Sequence, residues 1–218
     1  EVGPQNVGQV IERDVPVSEL GAGEDTPVVI TRQALEGQKN TGKLYYSATL
    51  RYFMPAEQIE PLERGIFVSR EYSLEKDPSQ PISGAKVNDT VVVTLTLVAP
   101  NDLYYLVLED PLPAGCEAID TSLQTTSQQA PQPGLKGEME GVGQGRAPIL
   151  PIYGFTHTEL RDEKVALFAS YLPRGTYQYS YAMRATTPGE FKVMPAVGYE
   201  MYFADVFGRS GGTVFTVK

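Results

Sequence analysis

The residues of this chain able to do chemistry are few and scattered. His157 is the only histidine, and Glu159, Asp162 and Glu163 follow it closely. A single imidazole among carboxylates is a poor zinc set, and no aspartate spacing of the EF-hand kind appears. A serine triad can be imagined around His157, but no Gly-x-Ser-x-Gly elbow exists to carry the nucleophile. The default place for this histidine is a surface or a strand edge. Cys116 is the only cysteine, so no intrachain disulfide can form, and such a residue usually serves as a small buried hydrophobe. Adjacent acids occur at Glu109–Asp110 and Asp162–Glu163. A glycosidase needs two facing carboxyl groups, whereas neighbours on a strand point to opposite faces. Both pairs therefore read as exposed, solubilising charges, and Arg161–Asp162 with Arg184 reads as a structural ion pair. Tyr177, Tyr179 and Tyr181 fall on one face of a strand. An exposed tyrosine ladder binds sugars or peptides, while a core face is its commoner use. No catalytic residue, metal ligand set or cofactor site emerges.

The elements that would position these residues are strands. Three runs alternate apolar and polar residues, 164–168, 177–184 and 191–194, and turn signals close them at 172–175, 187–189 and Pro195. In the Pro188–Gly189 turn, proline presets φ and glycine permits a positive φ. Further strands are expected at 27–32, 44–53 (LYYSATLRYF) and 65–72. Residues 90–99 and 103–109 read as a hairpin with apolar central runs, as in a sandwich core. Prolines at 55 and 61 mark 55–63 as a linker, the polar stretch 73–85 suits a loop, and 124–147 is rich in Gln, Gly and Pro. That last segment reads as a mobile surface excursion. No long amphipathic helix is evident. The expected fold is all-β: an antiparallel sandwich of about seven strands over 64–218, preceded by an incomplete β unit over 1–54. Three strands can scarcely bury both faces of a sheet alone.

Composition narrows the function classes. Thirteen Tyr and 8 Phe in 218 residues supply a β core. A formal charge of −9 argues against nucleic acid and against an anionic membrane surface as partners. No apolar run reaches the ~18 residues of a membrane span. The chain opens at Glu1 without a methionine, so it reads as a processed or excised piece.

Several ordered words, LRDEKVALF, LPRGTYQYSYAMRATTPGEF, MPA and EMYFADVFGRS, closely resemble the C-terminal domain of bacterial α2-macroglobulins, large protease traps built from serial β-sandwich domains. LYYSATLRYF resembles the last strand of the family's CUB-like sandwich as it returns after the thioester domain, and GIFVSREY resembles the first strand of the final macroglobulin-like domain. The resemblance implies a non-enzymatic, C-terminal part of a secreted or periplasmic inhibitor: 1–54 from the CUB-like sandwich, 55–63 a linker, and 64–218 the last domain. Its implied partners are the thioester and CUB domains of the parent and, through the whole inhibitor, target proteases. The family's Cys-x-Glu-Gln thioester motif is absent, since Cys116 is followed by Glu-Ala-Ile. The family's final domain presses on the thioester domain and shields it from water, and the positions here that match the shielding side chains are Met201 and Tyr202. As strand neighbours these two would face opposite sides, so at least one is expected outside the core. The alternative function is a bacterial cell-surface adhesion or structural β-sandwich module.

Overall fold

The computed structural model describes residues 8–21, 27–31, 37, 39, 43–120, 134–139 and 154–218. It divides into two units, Glu1–Phe53 and Met54–Lys218. Among the described residues of the first unit there is no strand, only a 3-10 turn at Val17–Glu19. The strands expected at 27–32 and 44–53 are thus not formed where residues are described. LYYSATLRYF has the alternation of a strand, but a strand is stabilised through its neighbours' hydrogen bonds and cross-strand side chains. Without them, Tyr45, Tyr46, Leu50, Tyr52 and Phe53 stand exposed.

The second unit opens with a 3-10 turn at Ala56–Gln58. Its strands, in chain order, are β1 Leu62–Arg64, β2 Phe67–Leu74, β3 Asp77–Pro81, β4 Gly84–Ala85, β5 Thr90–Ala99, β6 Leu103–Pro111, β7 Cys116–Ala118, β8 Gly134–Met139, β9 His157–Leu160, β10 Lys164–Leu172, β11 Gly175–Ala185, β12 Gly189–Val193, β13 Val197–Glu200, β14 Phe203–Arg209 and β15 Thr213–Val217. One sheet runs β1-β14-β13-β6-β10-β9. A second runs β3-β2-β5-β11-β7, with β8 also on β11, and a small third sheet runs β12-β15-β4. The ladders are antiparallel except for β15 beside β4. The three alternating runs of the sequence are β10, β11 and β12.

The core forms where the two large sheets turn their apolar faces together. β5 alternates without a break, sending Val91, Val93, Leu95, Leu97 and Ala99 inward. Its neighbour β11 adds Tyr177, Tyr179, Tyr181 and Met183, and Leu106, Leu108, Val165 and Leu167 answer from the opposite sheet. The tyrosine ladder is therefore core and binds nothing at the surface. Gly208 of β14 lies so close to β2's approach that a Cβ there would come within 1.9 Å of the Ile66 carbonyl oxygen.

Several expectations fail for identifiable reasons. β5 and β6 are not a hairpin. β5 pairs with β2 and β11, and β6 pairs with β13 and β10. Residues 100–102 carry the chain from one sheet to the other, which lets each apolar strand sit centrally in its own sheet. The stretch 73–85 contains β3 and β4 instead of a loop alone. The fifteen strands among the described residues exceed the expected seven, because short edge strands carry little sequence pattern. Within 124–147, residues 134–139 form β8 and pair with β11; the rest of that stretch lies outside the described residues. In 55–63, β1 pairs with β14 and Lys192 Nζ donates to Glu57 at 2.7 Å, so this stretch packs within the second unit.

Candidate functional site: an aromatic lip on the β13–β14 turn

Asp110 is not the exposed charge expected of it. Its carboxylate is fully buried and accepts from Arg70 Nη1 at 2.6 Å and from the Tyr181 hydroxyl at 2.7 Å. Arg70 comes from β2 and Asp110 from β6, so the ion pair ties the two large sheets across the core, with the guanidinium 5.3 Å from the Tyr72 ring centre. Burial holds the Tyr181 hydroxyl protonated, and the adjacent Asp110 charge adds to this. The neighbouring Glu109 faces the other way and receives Lys164 Nζ at 2.8 Å, as alternation requires. The cluster is closed to solvent and holds the sheets in register.

Cys116 packs in the core, and burial pushes its thiol up to about 11. It stays a thiol at neutral pH and is neither a nucleophile nor a ligand. His157 lies on the edge strand β9, exposed, with Nε2 3.4 Å from Glu159. Arg161 pairs with Glu159, not with Asp162, so the expected Arg161–Asp162–Arg184 arrangement gives way to a local one along the β9 edge. No group of three metal-capable side chains occurs among the described residues.

The exposed apolar surface is more telling. Met201 and Tyr202 are 55% and 70% exposed. They do not sit on a strand. Glu200 pairs with Phe203, which leaves Met201–Tyr202 as the two-residue turn between β13 and β14. Strand alternation does not govern turn residues, so the expectation that they face opposite sides is replaced: both leave the core. Phe203 continues the apolar surface, and Tyr104 and Tyr105 of β6 border it. The Tyr105 ring meets Tyr202 edge-on, centres 5.0 Å apart at 90°, and Tyr104 leans on Tyr171 at 5.2 Å. The Met201 amide donates to the Tyr105 carbonyl at 3.0 Å, and the Tyr104 amide donates to the buried carboxylate of Glu200 at 2.6 Å. The β13–β14 turn is thus held to β6 through backbone and rings. Glu200, Tyr104 and Tyr105 escaped the sequence reading. Their one visible signal is the Tyr doublet in LYYLVLED, which interrupts alternation at the start of β6.

A family model for the MG10 domain of bacterial alpha-2-macroglobulin matches residues 65–205, a span that includes the lip. The chain belongs to the bacterial alpha-2-macroglobulin family. Similar proteins include an alpha-2-macroglobulin homologue of Nostoc, 27% identical over 92% of this chain and 10% of that protein. Circularly permutated Ras protein 2 of Dictyostelium discoideum is 28% identical over 79% of this chain and 4% of its own length. The chain therefore spans only a small fraction of these relatives. Among solved structures, Escherichia coli alpha-2-macroglobulin activated by porcine elastase matches with a TM-score of 0.57 at 18% identity, over 73% of this chain and 14% of that one. The native E. coli protein, from domain MG7 to the C-terminus, matches at 0.55 and 20%, over 72% and 24%. At such identities the likeness is one of fold, a macroglobulin-like antiparallel β-sandwich.

Proposed function

We propose that this chain is the non-catalytic C-terminal part of an alpha-2-macroglobulin-like, broad-spectrum protease inhibitor of the bacterial periplasm or cell exterior. In this reading, residues 64–218 are its last macroglobulin-like domain and 1–54 belong to a CUB-like sandwich completed by chain that precedes them. Family membership supports the inhibitor reading. The unpartnered described part of 44–53 supports the CUB reading, since a segment patterned as a strand needs strands to join.

The single observation that carries the proposed role is the Met201–Tyr202 turn. Two large apolar side chains stand out of the fold on a turn that is itself tied down. A thioester survives only where water is kept away, and Met and Tyr offer adaptable apolar area with little rotamer freedom lost for Tyr. Pressed against the thioester domain of the parent, the lip excludes water until bait cleavage moves the domains apart. The test is a footprint. Tetranitromethane nitrates accessible tyrosines, so Tyr202 is expected to react in this free chain, to be protected in the native parent, and to react again after the parent is cleaved by a protease. Equal nitration of Tyr202 in the native and the cleaved parent would rule the proposal out.

A further inference from the structure

Tyr105 has a backbone that a tyrosine should avoid. Its φ is +52°, the left-handed region that bulky L-residues rarely occupy and glycine or asparagine fill more readily. It lies inside strand β6, beside β10. The β10–β6 register passes from Ala169↔Leu106 to Tyr171↔Tyr104, and the Tyr105 position between them is unpaired. The distortion has two visible effects. It shifts the phase of alternation, so that Leu103 and Leu106 are both buried while Tyr104 and Tyr105 are both exposed. It also turns the Tyr105 carbonyl to the Met201 amide and the Tyr105 ring to Tyr202.

A glycine at 105 would adopt this backbone without strain. A tyrosine in its place adds a steric cost, and the residue is 51% exposed, so core burial does not offset that cost. Strain of this kind persists where the surroundings over-determine it, and it gathers at functional sites. What the ring touches on this surface is Tyr202. Glu200 completes the arrangement from the other side, its buried carboxylate receiving the Tyr104 amide. The β13 end of the turn is thereby fastened to both residues of the Tyr104–Tyr105 pair, and Tyr202 meets the Tyr105 ring.

Resting on the shielding role proposed above, we infer that Tyr105 is a positioning residue: its strained backbone and its ring hold Met201 and Tyr202 in one raised conformation, and its ring widens the apolar face they present to the thioester domain. A loose lip would spend part of its time off the surface it covers and lose entropy each time it docked. A pre-ordered lip avoids this.

The test separates positioning from simple structural support. In the full 218-residue chain, Tyr105→Gly relieves the backbone strain and removes the ring, while Tyr105→Phe keeps the ring. For Tyr105→Gly the Tm is expected to stay level or rise, yet the Tyr202 ring resonances should move towards random-coil positions and the Met201 amide should exchange with deuterium at least several-fold faster. Tyr105→Phe should leave both signals near wild type. An unchanged Tyr202 ring and Met201 amide in Tyr105→Gly overturns the inference, as does a large fall in Tm, which would mark Tyr105 as ordinary structural packing. The same variants in the full-length parent then distinguish the positioning role from the shield, with methylamine as the thioester probe. Faster thioester loss in both Tyr202→Ala and Tyr105→Gly supports both. Faster loss in Tyr202→Ala alone sinks the positioning role and spares the shield. Unchanged loss in both, with the lip loosened in the free chain, keeps the positioning and refutes the shield.

Discussion

At the scale of single residues, position decides between chemistry and packing. Cys116 is a thiol whose burial pushes its titration up to about 11, so native chain at pH 7.5 should take up almost no iodoacetamide and full labelling should require denaturant. Rapid labelling of the native chain would contradict its place in the core. Tyr202 is the opposite case. An exposed aromatic contributes little to the free chain's stability, so Tyr202→Ala should change it by no more than ~0.5 kcal/mol, where a buried aromatic would cost ~3–5 kcal/mol. Urea unfolding of the two chains measures this. Asp102 brings in pH. Its carboxylate accepts from the Arg174 amide at 2.9 Å and from the Tyr171 hydroxyl at 2.9 Å, and these bonds, the backbone one foremost, hold its pKa below the usual carboxylate value. A depressed folded pKa gives stability that is present above the unfolded value of ~3.9 and lost as pH falls through the folded one. Wild type should therefore exceed Asp102→Asn in Tm at neutral pH, and the difference should begin to shrink below about pH 4 and close only once pH falls through the depressed folded value. A gap that persists into acid would show that the carboxylate's charge is not what matters.

At the scale of elements, β2, β6 and β11 meet at one buried charge. Arg70, Asp110 and Tyr181 each come from a different strand and from both large sheets. Such a pair adds little net stability compared with apolar residues of the same size, but removing one partner strands the other in the core. Asp110→Ala should cost ~3–5 kcal/mol, and the double variant Arg70→Met/Asp110→Leu should recover much of that loss. A loss in the double variant as large as in the single one would show that the geometry of the pair, not its charge, is indispensable. This cluster was invisible in the sequence. Glu109–Asp110 looks like two surface acids, and only the crossing of β6 against β2 brings Arg70 opposite Asp110, 40 residues away. What the sequence shows well is local: the alternation of β10, β11 and β12, and the Pro188–Gly189 turn. What it hides is pairing. Residues 90–99 and 103–109 are two apolar runs joined by a short polar link, which suits a hairpin and a sheet-to-sheet crossover equally. The choice depends on partners supplied by β2, β11, β13 and β10, far along the chain. The same holds for the lip. Met201 and Tyr202 could be matched by family resemblance, but their place on a turn follows from the Glu200–Phe203 pairing, and Tyr105's left-handed backbone leaves only an interrupted alternation as its trace.

At the scale of the molecule, the two units differ in how far they satisfy themselves. Met54–Lys218 has two large sheets closing on one core, with 55–63 packed against it, so a chain beginning at Met54 should fold alone and melt in one cooperative transition. Its m-value in urea should match the surface buried by a domain of that size. A broad, non-cooperative melt would mean that the first unit is needed for folding. Glu1–Phe53 has exposed aromatic side chains and, among its described residues, no strand. We propose that the exposed Met201–Tyr202 turn of this domain guards a reactive bond in the parent protein. The most direct measurement is the rate at which methylamine opens the thioester of the full-length, uncleaved inhibitor, forming an amide and releasing the thiol that is followed, for wild type and Tyr202→Ala. A several-fold faster release is expected in Tyr202→Ala with the fold intact; equal rates in the two proteins, with both correctly folded, would show that the turn does not shield the thioester.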